Sequence, residues 1–361
     1  MIHDVAIVGA GMAGASLAAA IGPRARVLLL EAEDMPGRHA TGRSAAFWSE
    51  TYGGPAVQPL TTASGAALRD GGYLTPLGSL HVGRAEDGAR IERLLADFAG
   101  SGVELARVDP AAHIPGLRPE WVHGVWEPSC AYIDVAALHA DYLAAAKAAG
   151  AEIRTDAAVT GAGRRDGVWH LETRAGLFSA RLLVDAAGAW ADEVAKLAGV
   201  APIGITPYRR TMVQLRTDPP VPEGLPHVVD IAGNFYFKPE AGGRLWLTPH
   251  DESPSAACDI APEEWDVAVA IDRLEKVVDW RVEAVERRWA GLRSFAPDRA
   301  PVYGFDHKTP GFFWCAGQGG FGIQTAPAAS AMAAALLLGE GDVPEGLDAE
   351  RYGAGRFPAM R

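Results

Sequence analysis

The chain has 361 residues, enough for about two domains and a large core without disulfides or metals. Hydrophobic residues make up 48% of it and charged residues 22%, a globular balance and not a disordered one. With 33 Lys+Arg against 45 Asp+Glu the formal charge is −12, which repels phosphate backbones and argues against nucleic acid as a partner.

Residues 4–8 form an apolar run of strand length, followed by Gly9-Ala10-Gly11-Met12-Ala13-Gly14 and a helical stretch to Ile21 that Gly22-Pro23 stops. A second apolar strand, residues 26–30, ends at Glu31. Helical periodicity returns over 136–149, and Gly150 is a natural C-cap. Asp166-Gly167 between 159–164 and 168–173 predicts a hairpin. Another apolar strand, 181–185, runs into Ala186-Ala187-Gly188 and a helix over 190–197. From 207 to 289 the texture changes to short strands (209–216, 234–238, 244–248) and one amphipathic helix over 262–280. The tail resumes the first texture, with a strand at 312–316, a Gly-rich turn and a helix over 324–338. The expected fold is α/β: a Rossmann-like domain made of 1–75, 135–205 and 288–361, with an inserted mixed or antiparallel β-sheet substrate domain made of 76–134 and 206–287.

The first glycine motif has the context of a dinucleotide site. Gly9 permits the tight turn, Gly11 lets backbone approach a pyrophosphate, and Gly14 lets helix and strand pack closely. The helix N-terminus favours that anion, and Glu31 can accept hydrogen bonds from a ribose, which fits FAD or NAD better than NADP. Three further segments bear on the choice: cationic, hydroxyl-bearing 37–46, the small-residue strand end 185–190, and the strand–glycine turn–helix at 315–324. Each also suits an ordinary loop or packing turn. Cys130, Cys258 and Cys315 lie far apart with no Cys-x-x-Cys, and the histidines show no ligand spacing, so no disulfide framework and no metal are expected. No basic leader precedes the first strand, and the apolar run 326–338 is too short for a bilayer of ~30 Å. A cytoplasmic protein without a transmembrane segment is expected.

The order of these segments resembles the flavoproteins that include D-amino-acid oxidases, glycine and sarcosine oxidases and D-amino-acid dehydrogenases, most closely the D-arginine dehydrogenase type. Gly42–Ala46, Trp289–Phe295 and Phe312–Thr325 carry the resemblance. It implies non-covalent FAD, with Cys315 a buried thiol, and oxidation of an amine next to a carboxylate. Implied cofactor contacts are Gly9, Gly11, Met12, Ala13, Gly14, Glu31, Ala32, Thr41, Arg43, Ser44, Ala45, Val159, Gly188, Trp190, Gly319, Gly320, Phe321, Gly322, Ile323 and Gln324. Arg293 matches a substrate-carboxylate clamp, Arg210 a second basic contact, Tyr52 and Tyr236 aromatic hydroxyls, and Gly320 a carbonyl for the amine. A guanidinium fork is independently the best planar partner for a carboxylate. Arg209 and Arg210, adjacent on a strand, must face opposite sides.

Phe47-Trp48-Ser49 stands where relatives often carry a histidine. Ser79 stands in the stretch 75–82 where cation-preferring relatives carry an acid, so a substrate pocket of Phe47, Trp48, Ser49 and Ser79 is expected, with Leu80 and Tyr52 lining an apolar wall unless Glu50 reaches in. The expected activity is oxidation of free D-amino acids with apolar or aromatic side chains to imino acids, then 2-oxo acids and ammonia. Glycine, sarcosine, proline or a 2-hydroxy acid are alternative donors. The electron acceptor is open among oxygen, a quinone or another carrier. A monooxygenase or tRNA-modifying module is disfavoured by Gly317–Gly320 in place of a Gly-Asp motif and by the charge. A silent FAD-binding protein is the remaining alternative.

Overall fold

The computed structural model describes residues 1–357. The apolar runs at the N-terminus are strands covered on both faces. Ile2–Val8 sends Val5 and Ile7 into one core and Ala6 and Val8 into another. Val27–Leu30 and Phe312–Ala316 divide in the same way, which is why these segments read as continuous apolar runs with no alternation. Ile2–Val8 lies between Gly176–Asp185 and Val27–Leu30 in parallel, and Phe312–Ala316 extends the parallel set beside residues 183–185. The helices Met12–Ile21 and Ala326–Leu338 cover one face, and Ala191–Leu197 covers the other. The hairpin Val159–Arg165/Val168–Thr173 adds antiparallel strands at the edge of this eight-stranded sheet.

A second, ten-stranded sheet is antiparallel apart from one parallel pair, Ser79–Arg84 with His227–Asp230. Its strands do alternate. Leu80, Val82, Val213, Val228, Phe237 and Leu247 form a core with the helix Glu264–Glu275. Ser79, His81, Arg210, Met212, His227 and Tyr236 occupy the intervening positions, on the face turned toward the first sheet's cleft. A small third sheet joins Phe47–Trp48, Leu74–Pro76 and Ala131–Ile133.

Several elements differ from their expected extents: the strand expected over 181–185 begins at Gly176, and those expected over 209–216 and 234–238 span Thr206–Asp218 and Tyr236–Glu240. The helix expected over 262–280 spans Glu264–Glu275, because Val277 and Val278 peel off to pair with residues 117–118. The helix expected from 324 begins at Ala326, after turns that Gly317 and Gly319 allow at positive φ. The strand Arg281–Phe295 runs unbroken through 287/288, so residues 288–295 belong to the second sheet, paired with Thr206–Asp218.

Candidate active site

One cleft of about 500 Å³ opens at the C-terminal ends of the parallel strands and continues onto the second sheet. Gly9 sits at φ +102°, and a Cβ on Gly14 would lie 1.9 Å from the Gly9 carbonyl oxygen, so the turn closes only with glycine at both positions. A Cβ on Gly11 would meet the Thr41 hydroxyl at 3.2 Å, and that hydroxyl accepts from the Met12 N–H. Glu31 is buried and lines the cleft. Its carboxylate accepts from the Ala10 N–H at 3.0 Å and the Glu33 N–H at 3.1 Å, with lone pairs to spare for a diol. Arg43 reaches across to the second sheet's loop, donating to the Ile260 carbonyl at 2.9 Å and pairing with Asp259. An extended cleft with a glycine turn, a helix N-terminus and an acid at its adenosine end fits a dinucleotide of FAD's size.

Of the expected cofactor contacts, Gly9, Gly11, Met12, Ala13, Glu31, Ala32, Thr41, Arg43, Ser44, Ala45, Val159, Gly188, Trp190, Gly319, Gly320, Gly322 and Ile323 line this cleft. Three do not. Gly14 packs against the strand Ile2–Val8, and Phe321 packs between Tyr52 and Phe295. The Gln324 amide donates to the Tyr52 carbonyl at 3.1 Å and the Thr61 hydroxyl at 2.9 Å, so Gln324 holds the Tyr52 segment in place. Cys315 is buried in the first sheet's core, and burial pushes its thiol up to about 12.

The basic end of the cleft is formed by Arg210, Tyr236 and Arg293. Arg293 has no carboxylate within ion-pair reach among the described residues; its one side-chain hydrogen bond is to the Tyr236 hydroxyl at 3.5 Å. Burial works against its charge, but Tyr52, Tyr236 and Glu252 outweigh that and raise its pKa. Arg210 donates to the Asp251 carbonyl and to Glu252, and its buried Nη1 has no partner among the described residues. Burial and repulsion from Arg293 pull Arg210 down to about 10. Arg209 turns to the other face and pairs with Asp251, Glu263 and Asp266. Burial pushes the Tyr236 phenol up, which keeps it a donor at neutral pH. At Gly320 a Cβ would lie 2.7 Å from the Tyr52 hydroxyl and 3.1 Å from the Arg293 guanidinium carbon, so glycine there lets both groups close on one point.

A second cavity of about 170 Å³ lies beyond Phe47 and Tyr52, lined also by Ser49, Thr51, His81 and His227. The expected substrate pocket is partly redistributed. Trp48 donates to the Thr61 carbonyl and packs in a core with Met12 and Leu68. Ser79 is bonded to His227 Nδ1 at 3.1 Å, and Leu80 lies on the sheet's opposite face. Glu50 accepts from Thr62 and turns away. The wall is mixed: Phe47 and Tyr52 line it as expected, with Val229 and Ile231, while strand alternation puts Leu80 in the core and His81 and His227 on the cavity side.

Four residues that matter here carried no sequence signal: Thr51, His81, Glu127 and His227. Glu127 is fully buried and accepts from the Ser49 hydroxyl, the Glu50 N–H and the Thr51 hydroxyl at 2.9, 2.7 and 2.6 Å. Burial opposes its charge, yet His81 and the two hydroxyls outweigh it and hold its pKa below the ordinary carboxylate value. It fastens the segment that carries Phe47 and Tyr52.

Comparison with known proteins decides the family: the FAD dependent oxidoreductase family matches residues 4–336. The chain belongs to the FAD dependent oxidoreductases. Members of this family bind FAD, and the cleft above is where this chain would hold it. Among curated relatives, the bifunctional protein ThiO/ThiG of a Nostoc species is 27% identical over 270 residues, covering 74% of this chain and 39% of that protein. The hydrogen cyanide synthase subunit HcnC of Pseudomonas aeruginosa is 28% identical over 267 residues, covering 70% and 58%. The chain thus spans less than two thirds of the length of these relatives. Among solved structures, L-proline dehydrogenase from P. horikoshii superposes with a TM-score of 0.86 at 21% identity, covering 98% of this chain and 97% of that one. Glycine oxidase from Geobacillus kaustophilus gives 0.83 at 24% identity, covering 99% of both. These likenesses establish the fold. Among the described residues no helix is long and apolar enough to cross a membrane.

Proposed function

We propose that this family member uses non-covalent FAD to oxidise free amino acids at the Cα–N bond, D-amino acids with uncharged side chains in particular. The observation that carries it is the pair of guanidinium groups with unshared N–H donors in one cleft, Arg293 and the Nη1 of Arg210. Such a pair demands an anion, and a carboxylate matches it in shape and charge. Arg293 and Arg210 hold that carboxylate, the Tyr236 hydroxyl donates to it, and the Gly320 carbonyl accepts from the substrate amine. Tyr52 closes the fourth side. Fixing carboxylate and amine together aims the Cα–H, so orientation supplies much of the rate. FAD, when bound, is the hydride acceptor. The amine must be uncharged when the hydride leaves, and water then hydrolyses the imino acid to a 2-oxo acid and ammonia.

Asp230, the acid that lines the cavity beyond Phe47, already accepts from the Ala232 and Asn234 N–H groups and the Asn234 amide, which weighs against D-arginine and D-lysine. The same clamp would serve glycine, sarcosine, proline or a 2-hydroxy acid, and the family likeness to glycine oxidase and L-proline dehydrogenase keeps glycine and proline as the second reading. An anaerobic stopped-flow panel of D- and L-amino acids, glycine, sarcosine, proline and 2-hydroxy acids, read as bleaching of the flavin band, tests it. Bleaching by D-amino acids with uncharged side chains at the highest specificity constant is expected. No bleaching by any amino acid would overturn the proposal.

A further inference from the structure

The cavity beyond Phe47 contains a buried polar atom with nothing to bind. His227 is 1% exposed and lines the cavity, and its Nε2 has no hydrogen-bond partner among the described residues. Its other nitrogen is bonded to Ser79 Oγ at 3.1 Å. Its ring lies 4.0 Å from that of Phe47, which in turn stands 5.0 Å from Tyr52 and 5.6 Å from Tyr236. Phe47 and Tyr52 line the cavity and Tyr236 lines the cleft, so these rings form the boundary that the cavity shares with the carboxylate clamp. Buried polar groups in proteins nearly always have partners, and an orphan beside a cavity points to something that fills it.

We propose that this cavity is the side-chain subsite and that His227 recognises a substrate side chain carrying an uncharged group that both donates and accepts a hydrogen bond, an amide or a hydroxyl. The inference rests on the amino-acid reading given above. Ser79 can donate to Nδ1 or accept from it, so His227 Nε2 can present either a donor or an acceptor; a group with both capacities satisfies either tautomer. An ammonium or guanidinium would reach Asp230, the acid that lines the cavity, only by competing with the donors it already has. Glu127 spends its oxygens on Ser49, Glu50 and Thr51, and Asp230 accepts from the Ala232 and Asn234 N–H groups and the Asn234 amide. A carboxylate would meet those same two acids, Glu127 and Asp230. An aliphatic side chain would seal the Nε2 atom in without a partner, and sites built to bond a polar group discriminate against analogues that lack it.

The test uses the FAD-loaded protein and three carboxylates of nearly equal shape that cannot be oxidised at an amine: succinamate, succinate and 4-methylpentanoate. Their affinities are measured by calorimetry and by flavin spectral titration, beside the specificity constants for D-asparagine and D-leucine. Succinamate is expected to bind at least about tenfold tighter than either analogue, and D-asparagine to exceed D-leucine by a similar factor. His227→Phe should abolish both ratios, and His227→Gln should restore part of them, with FAD content and far-ultraviolet dichroism showing that each variant is folded. Equal affinities, tighter binding of succinate or 4-methylpentanoate, or ratios that survive in His227→Phe overturn the subsite. If glycine or D-leucine bleaches the flavin while succinamate shows no advantage, the subsite fails and the amino-acid reading stands. If no amino acid bleaches the flavin and none of the three carboxylates binds, both fail.

Discussion

Replacing Arg293 by alanine separates the clamp from the cofactor site. In the free protein Arg293 has no carboxylate partner among the described residues, so its removal orphans no buried acid. The repulsion that holds Arg210 down to about 10 is also relieved. Arg210 offers a single unshared nitrogen, since its Nε and Nη2 are bonded to the Asp251 carbonyl and Glu252. The variant therefore exchanges a forked contact for a one-point contact. Losing two charge-assisted hydrogen bonds to a buried carboxylate costs about 3 kcal/mol or more. At about 1.4 kcal/mol per factor of ten, kcat/KM should fall by at least about 10²-fold. Arg293→Lys, which keeps the charge without the fork, should lie between the two. The assay is the anaerobic rate of flavin bleaching across substrate concentrations, on protein whose FAD content has been matched to the parent. A flavin-loaded Arg293→Ala protein with unaltered kcat/KM would remove Arg293 from the substrate site.

Glu31→Ala should weaken FAD retention and leave the relative specificity among amino acids unchanged; matched FAD dissociation rates in parent and variant would refute its placement at the ribose. Gly14→Ala places a methyl 1.9 Å from the Gly9 carbonyl oxygen and should yield protein without FAD or without a stable fold, read by flavin absorbance after purification and by thermal unfolding. Acid should destabilise the protein through His227, which is buried, and His250, which is half-buried. Burial lowers His227 well below its ordinary 6.5, and burial with Arg210 and Arg293 lowers His250 to about 3. Both are neutral when folded, and the unfolded chain takes up their protons first. Their contribution is complete above pH 6.5 and declines below it, by up to about 1.4 kcal/mol per pH unit for each. Melting temperature should fall between pH 6.5 and 5, and His250→Gln should flatten that slope; an unchanged slope would show that His250 is not held neutral.

Local order made much of the nucleotide half legible. A doubly covered strand must be apolar throughout, a tight turn beneath a helix needs Gly9 and Gly14, and an acid at the end of the next strand falls beside that turn, so residues 4–31 describe their own fold. The alternation rule likewise requires Arg209 and Arg210 to part, and apart from Asp251, which both touch, their partners differ: Glu263 and Asp266 for Arg209, Glu252 for Arg210. The register of distant strands is not written locally. His81, Glu127 and His227 come together because Ser79–Arg84 pairs in parallel with His227–Asp230 and antiparallel with Trp121–Glu127, across as many as 148 residues of sequence. Each of the three looks alone like an ordinary polar residue on a strand. Tertiary pairing alone decides that Ser79 is spent on a histidine, that Leu80 belongs to the core, and that a buried acid fastens the Phe47–Tyr52 segment. The physical reason is that backbone hydrogen bonding between strands accepts almost any sequence. The partner is chosen by burial summed over the whole sheet, a quantity no short segment contains.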